Sequence, residues 1–301
     1  MSLRVALLGV LVGCAPKSPV QTDPPAPQAA IDVSFGAGVP ESARQAIHRA
    51  AKTWSDALVL STPIRVRVDW IVGNGPTGFA LPNAVHRRDV AELTGPDALV
   101  PSPLADHLVG RDLQPDEPDM HIFFKEQDSW CYSGEPTSDE THFETSALHE
   151  IGHGLGITTA AFVPWEGEKE ASFGMPNEYL SFFDFAFELP ELDGTATVYD
   201  QRVVDAEGRR LTDPSVFPNP SEALYDGLKG PLFFDGPIST AANGGRRVAL
   251  DSGSVSHLAR SGVAETSPDW AMVPDTGHGR AHVTPGPLTL AVLEDLGWTL
   301  R

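Results

Sequence analysis

The sequence predicts an α+β protein in which short strands, a few helices and long irregular connections share one core. Three observations lead there. Segments with apolar residues at every second position stand beside segments whose apolar residues recur at three and four positions. Apolar residues make up 41% and charged residues 21%, the usage of a packed globular chain. Gly (28) and Pro (27) are both plentiful, which calls for many turns between elements.

The chain opens on MSLRVALLGVLVGC, where basic Arg4 precedes an apolar run from Val5 to Val12 and then small Gly13. This is the layout of a secretory signal, and the run is too short to span a bilayer as a helix. Leu11-Val12-Gly13-Cys14 also resembles the lipobox of bacterial lipoproteins, which implies cleavage before Cys14 and lipidation of its thiol. Residues 1–13 are therefore expected to be a signal peptide, and residues 14–30 (CAPKSPVQTDPPAPQAA) an extended Pro-rich tether. The expected location is outside the cytoplasm, anchored by lipid at the bacterial cell envelope or secreted. Cys131 would then be the one remaining thiol, read as a small buried hydrophobe.

Residues 31–301 read as one domain with two lobes, 31–156 and 157–301. Residues 31–35 (IDVSF) alternate as a half-buried strand does. Ser42 and Gln45 have the spacing of a capping box, and Ala43, Ala46, Ile47, Ala50, Ala51, Trp54 and Leu58 follow at helical spacing, with His48 off the stripe. Ile64, Val66, Val68, Trp70 and Val72 alternate over a long strand that GNGP ends. From there to Asp119 the chain reads as a loop rich in Pro and Asp. Residues 120–124 (MHIFF) read as a strand. Thr141 and Glu144 repeat the capping-box spacing before a helix running to Gly156. Residues 157–252 read as loop with short strands, including a turn at Asn243-Gly244-Gly245 before residues 246–250. In the closing helix Pro287 suits the first position, Leu288, Val292, Leu293 and Leu296 the buried face, and Gly297 the stop.

The net charge is −20, from 21 Lys+Arg against 41 Asp+Glu. Such a chain repels phosphate backbones, which argues against a nucleic-acid partner. Acidity of this kind serves solubility. The stretch 112–119 (DLQPDEPD) also has carboxylates spaced for calcium, although such loops are usually just solvated.

The chemistry-bearing motif is His149-Glu150-Ile151-Gly152-His153, an H-E-x-x-H run. Residues four apart on a helix stack one turn above the other, so both imidazoles can reach one zinc ion. Counting about 100° per residue from Phe143, the apolar Phe143, Ala147, Leu148, Ile151 and Leu155 fall between roughly 0° and 140°. The two histidines fall near roughly 240° and 280°, off that face. Glu150 beside them suits a general base on zinc-activated water. The structural alternative is a helix with two incidental histidines.

HEIGHGLGI, then GSVSHL, WAMVP and PLTLAVLEDLGW, resembles bacterial secreted metallopeptidases of the metzincin type related to leishmanolysin. The resemblance spans most of residues 31–298 and is most specific over 143–157 and 253–298. It implies a twisted mixed sheet with a backing helix and an active-site helix, above an irregular C-terminal lobe with a Met-containing turn. In metzincins a third ligand commonly follows the second His by six residues; that position here is Thr159, a poor zinc ligand. Carried over by position, His257 matches the distant third ligand and Met272 the turn beneath the metal. His278, His282 and Glu265 compete for the ligand role, and a loop His bonded to backbone is the bland reading of His257. Tyr132, Tyr179, Tyr199 and Tyr225 are all candidates to stabilise an oxyanion.

The resulting expectation is a zinc endopeptidase acting on extracellular proteins or peptides, with Glu150 as base and His149, His153 and His257 as ligands. Its rival is a non-catalytic surface-binding lipoprotein on a peptidase fold; a zinc amidase acting on cell-wall peptides shares the chemistry and differs in substrate.

Overall fold

The computed structural model describes residues 30–72, 77–127, 129–164, 167, 169–174 and 194–301. The signal peptide, Cys14, nearly all of the tether, the 73–76 turn and Tyr179 lie outside them. In chain order the N-terminal half contains β1 (Ile31–Phe35), α1 (Glu41–Ala57), β2 (Ile64–Ile71), β3 (Gly78–Pro82), β4 (Ala84–His86), β5 (Leu99–Pro101), α2 (Ser102–Val109), β6 (Met120–Lys125), β7 (Trp130–Cys131), β8 (Thr141–His142) and α3 (Phe143–Gly154). The C-terminal half adds β9 (Ala161–Phe162), β10 (Ser172–Phe173), β11 (Val203–Asp205), α4 (Glu222–Lys229), β12 (Leu232–Phe234), α5 (Pro237–Ala242), β13 (Val248–Asp251), β14 (Ser254–Leu258) and α6 (Pro287–Leu296).

The first sheet has the order β1-β2-β6-β3. β1 and β6 flank β2 in parallel, while β3 runs antiparallel to β6, so the sheet is mixed. The α+β class expected from the sequence is what the chain adopts. α1 buries its predicted stripe, from Ala43 to Trp54, and leaves His48 exposed. Trp54 is fully buried and its indole N–H donates to the Leu148 carbonyl of α3 at 3.0 Å, so α1 backs the helix of interest. Truncating so large a buried side chain to Ala costs about 3–5 kcal/mol.

Several expectations are corrected. α1 starts at Glu41, because Pro40 (φ −62°, ψ 148°) ends the extended segment there; Ser42 caps nothing and Gln45 bonds Glu41 instead. β2 stops at Ile71, and Val72 is 81% exposed. The supposed loop before Asp119 holds β3, the antiparallel β4–β5 pair and α2. α2 spans only eight residues, too few for a periodic signal, but Pro103 in its first turn and left-handed Gly110 (φ 77°) mark its ends.

The C-terminal lobe is more regular than expected. β11-β12-β13-β14 form an antiparallel sheet with β14 at one edge, and two helices lie within what reads as loop. Its strands are three to five residues long, too short for alternation to stand out. The Gly244–Gly245 turn forms, both residues having positive φ. α6 matches its predicted bounds, but its inward face differs: Thr289, Ala291 and Asp295 are buried with Val292 and Leu293, while Leu288 and Leu296 are half-buried. The inward polar residues have partners. Thr289 bonds Asp269, and Asp295 accepts the Ile238 and Ser239 N–H groups at the start of α5. One core cluster runs from Ile31 to Trp298. No helix among the described residues is long and apolar enough to cross a membrane.

Candidate metal centre

α3 does not start on the Thr141–Glu144 box. Thr141 is committed to the β7–β8 pair, so the cap falls to His142, whose Nδ1 accepts the Thr145 N–H at 3.3 Å. Glu144 pairs with Arg49 of α1 at 2.6 Å. The predicted apolar face is fully buried: Phe143, Ala147, Leu148, Ile151 and Leu155. Between the two histidines, Gly152 lets other elements close in. A Cβ there would lie 2.9 Å from the sulfur of Met272 and 3.3 Å from the Trp54 ring. Met272 thus packs under the helix, on the 3₁₀ turn Pro268–Met272.

His149 and His153 project from α3, and His257 arrives from β14, an edge strand of the C-terminal sheet. Their Nε2 atoms stand 2.9 Å (His149–His153), 3.1 Å (His149–His257) and 3.2 Å (His153–His257) apart. The opposite nitrogens are anchored. His149 Nδ1 bonds the Ala271 carbonyl at 2.6 Å, and His153 Nδ1 bonds the Ile157 carbonyl at 2.7 Å. A carbonyl only accepts, so Nδ1 carries the proton in both rings and Nε2 is a bare lone pair. His257 Nδ1 bonds the Ser254 hydroxyl at 2.7 Å, which can accept in the same way.

With the Ser254 hydroxyl accepting from His257 Nδ1, three lone pairs converge, and at this spacing they repel one another unless a cation lies among them. A tetrahedral ion about 2.0–2.1 Å from each nitrogen requires nitrogen separations of about 3.3 Å, close to those observed. The three residues can therefore hold a metal ion. Burial also keeps the rings neutral, the form that ligates. His153 is pushed down to about 3 by burial and then by His149. His257 is lowered by burial and then by the other two rings, and His149 by burial.

Glu150 is 5% exposed, and its Oε2 is buried without a partner. Burial pushes its carboxyl up to about 8; a dication among the adjacent rings would act in the opposite sense. Gly78 of β3 makes room for it, since a Cβ there would lie 2.9 Å from Glu150 Oε1. Glu150 and the three histidines line a cleft of about 530 Å³, together with Gly78 to Ala80 of β3 and Pro274 to Thr276 beyond the Met272 turn.

The competing ligands are not in the cluster. Glu265 pairs with Arg280 at 2.7 Å, and the His282 backbone N–H bonds Thr145. His278 lines the cleft, near Thr141 Oγ1 at 3.4 Å, without joining the three rings. None of the described tyrosines lines the cleft; Tyr199 is buried and donates to the Val255 carbonyl. Cys131 is buried and free, its thiol on the Ser133 carbonyl. Thr159 has another task. Its hydroxyl donates to buried Asp200 at 2.5 Å, fixing the chain as it leaves α3.

Sequence reasoning missed Ser254, Gly78, Asp200 and the Ala271 and Ile157 carbonyls. Ser254 stands three residues before His257, a visible spacing with no local rule attached to it. No protein-family model matches the chain, and no curated protein is significantly similar to it.

Proposed function

We propose that the chain is a zinc-dependent endopeptidase of the metzincin type, related to leishmanolysin, that cleaves extracellular proteins or peptides from a lipid anchor at Cys14. The observation that carries the reading is the convergence of three Nε2 atoms (His149, His153, His257) beside an unpartnered Glu150 oxygen. Three imidazoles opening on a cleft suit a catalytic zinc, which keeps one position for water or substrate.

Bound there, zinc would polarise a carbonyl oxygen and make a water acidic, with a pKa of about 7. Glu150 takes the proton of the attacking water as its oxygen bonds the peptide carbonyl carbon. It then gives that proton to the amine nitrogen as the C–N bond breaks. Ala271, Ile157 and Ser254 hold the three rings in register throughout. A peptide is the favoured substrate because β3, which lines the cleft, is an edge strand: among the described residues its outer side pairs with no other strand. An extended backbone can add to such an edge.

The test is digestion of a diverse peptide mixture by the purified, zinc-loaded protein, read by mass spectrometry against Glu150→Ala. The expected result is a set of internal cuts absent from the variant. Identical products from both proteins, each folded and zinc-loaded, would reject the peptidase in favour of a non-catalytic surface-binding lipoprotein.

A further inference from the structure

We propose that Asp106, Asp112 and Asp119 form a second metal site, for a hard divalent cation of the calcium type, separate from the histidine cleft. Each offers a carboxylate oxygen, and the three oxygens lie within 4.8 Å of one another. Calcium binds oxygen at about 2.3–2.6 Å, so oxygens up to roughly 5 Å apart can share one ion.

The cluster differs from a solvated acidic loop in its burial. Asp106, on α2, and Asp119, just before β6, are each 1% exposed. Asp119 Oδ2 accepts the Arg65 backbone N–H at 2.6 Å, but its Oδ1 is buried with no donor from outside the cluster, and the side chain it meets is the Asp106 carboxyl. A buried carboxylate oxygen without a donor is costly, and such an atom signals a missing partner. The backbone donors at hand are already used: Asp106 Oδ1 accepts from Leu113 N–H and Asp112 Oδ1 from Gln114 N–H, each at 3.0 Å.

The charges do not balance either. Arg65 is the cation paired here, on Asp112 at 2.9 Å, and its guanidinium is also held by the Gln114 and Pro115 carbonyls. Three carboxylates against one guanidinium leave two negative charges, which a divalent ion would neutralise. Without an ion, Asp106 and Asp119 resist ionisation. Burial, with Asp119 and Asp112 adding to it, raises Asp106 to about 6, and burial raises Asp119 as well. An all-oxygen donor set selects calcium-type ions over zinc. Asp112, 32% exposed at its side chain, supplies the entry path and space for water ligands. The ion would pin the 110–119 connection to the start of β6, the strand between β2 and β3.

The experiment uses the full-length, zinc-loaded protein freed of calcium by a calcium-selective chelator, with calcium chloride as the probe. Calorimetric titration should show about one ion per chain with Kd below about 10⁻³ M, and magnesium should bind more weakly. In 10 mM calcium Tm should rise by about 3 °C or more. Asp112→Asn, the exposed member and so the least disturbing to the fold, should weaken calcium binding at least tenfold and leave zinc binding intact. Two results would overturn the site: no saturable binding up to 10 mM calcium, or binding that Asp112→Asn and Asp106→Asn both leave unchanged. Neither result bears on the histidine cluster.

Discussion

The two sides of the histidine cluster are built differently. On the helix side, His149 and His153 stand one turn apart on α3, each ring held by a backbone carbonyl. On the strand side, His257 comes from an edge strand 104 residues beyond His153, and its ring is held by the Ser254 hydroxyl. A carbonyl can only accept, so it fixes the tautomer and no side-chain substitution deletes it. A hydroxyl rotates, donates or accepts, and is lost in a single mutation. The helix side is anchored by backbone alone, and the strand side by the Ser254 hydroxyl together with the Ser254 backbone.

Removing a ring should override this difference and have the largest effect. His149→Ala, His153→Ala and His257→Ala should each weaken zinc binding by more than the ~10–100-fold that loss of an outer partner costs. Competition against a chromophoric chelator measures it. A His257→Ala protein that keeps zinc within tenfold of wild type would remove β14 from the centre and break the comparison.

The exit of α3 is the next place to press. Asp200 accepts four bonds, from the Thr159 hydroxyl, Ala160 N–H, Thr197 N–H and the Thr197 hydroxyl. Asp200→Ala would strand these donors in a buried site, at a cost of about 3 kcal/mol or more in urea denaturation. Asp200→Asn, which retains an acceptor oxygen, should recover part of it. An Asp200→Ala protein of unchanged stability would mean that Thr159 and its neighbours find water instead.

What was legible in the sequence follows the same division. On α3 the ligands and the core share one period, so a wheel drawn from residue types separates Phe143, Leu148 and Ile151 from the two histidines, and the fold keeps that separation. His257 has no local pattern; it came into view through resemblance to a family, and only the folded chain brings its ring to the others. The Ala271 and Ile157 anchors are backbone atoms, to which residue identity gives no clue. Capping patterns misled at both major helices, because Pro40 and His142 compete with Ser42 and Thr141 for the same task. The helices α2 and α5, of eight and six residues, are too short for amphipathic spacing to emerge; α4 does carry the signal, with Leu224 and Leu228 one turn apart on its buried face behind the capping Ser221, but over only two turns.

Ser254→Ala sharpens the comparison at the strand side. It removes the hydroxyl and leaves the Ser254 backbone as the ring's remaining local partner, so zinc affinity should fall by about 10-fold, the low end of what loss of an outer partner costs. Metal-free stability should hardly move, since Ser254 is not fully buried. A loss smaller than threefold would show that packing, not the hydroxyl, orients the ring.

Tyr199→Phe separates the aim of the ring from the position of its strand. Tyr199 is buried next to Asp200, packs on Phe234 (ring centroids 5.1 Å apart) and donates to the Val255 carbonyl at 3.0 Å. One dipeptide therefore ties down both sides of the centre: Asp200 holds the exit of α3, and Tyr199 holds β14 two residues before His257. Phe keeps the ring and removes one hydrogen bond, so stability should fall by about 1 kcal/mol. Because β13 still pairs with β14, zinc affinity should fall less than in Ser254→Ala. If the two variants lose equal affinity, the placement of β14 limits the site as much as the orientation of its histidine, and the softness of the strand side belongs to the strand and not to the Ser254 anchor alone.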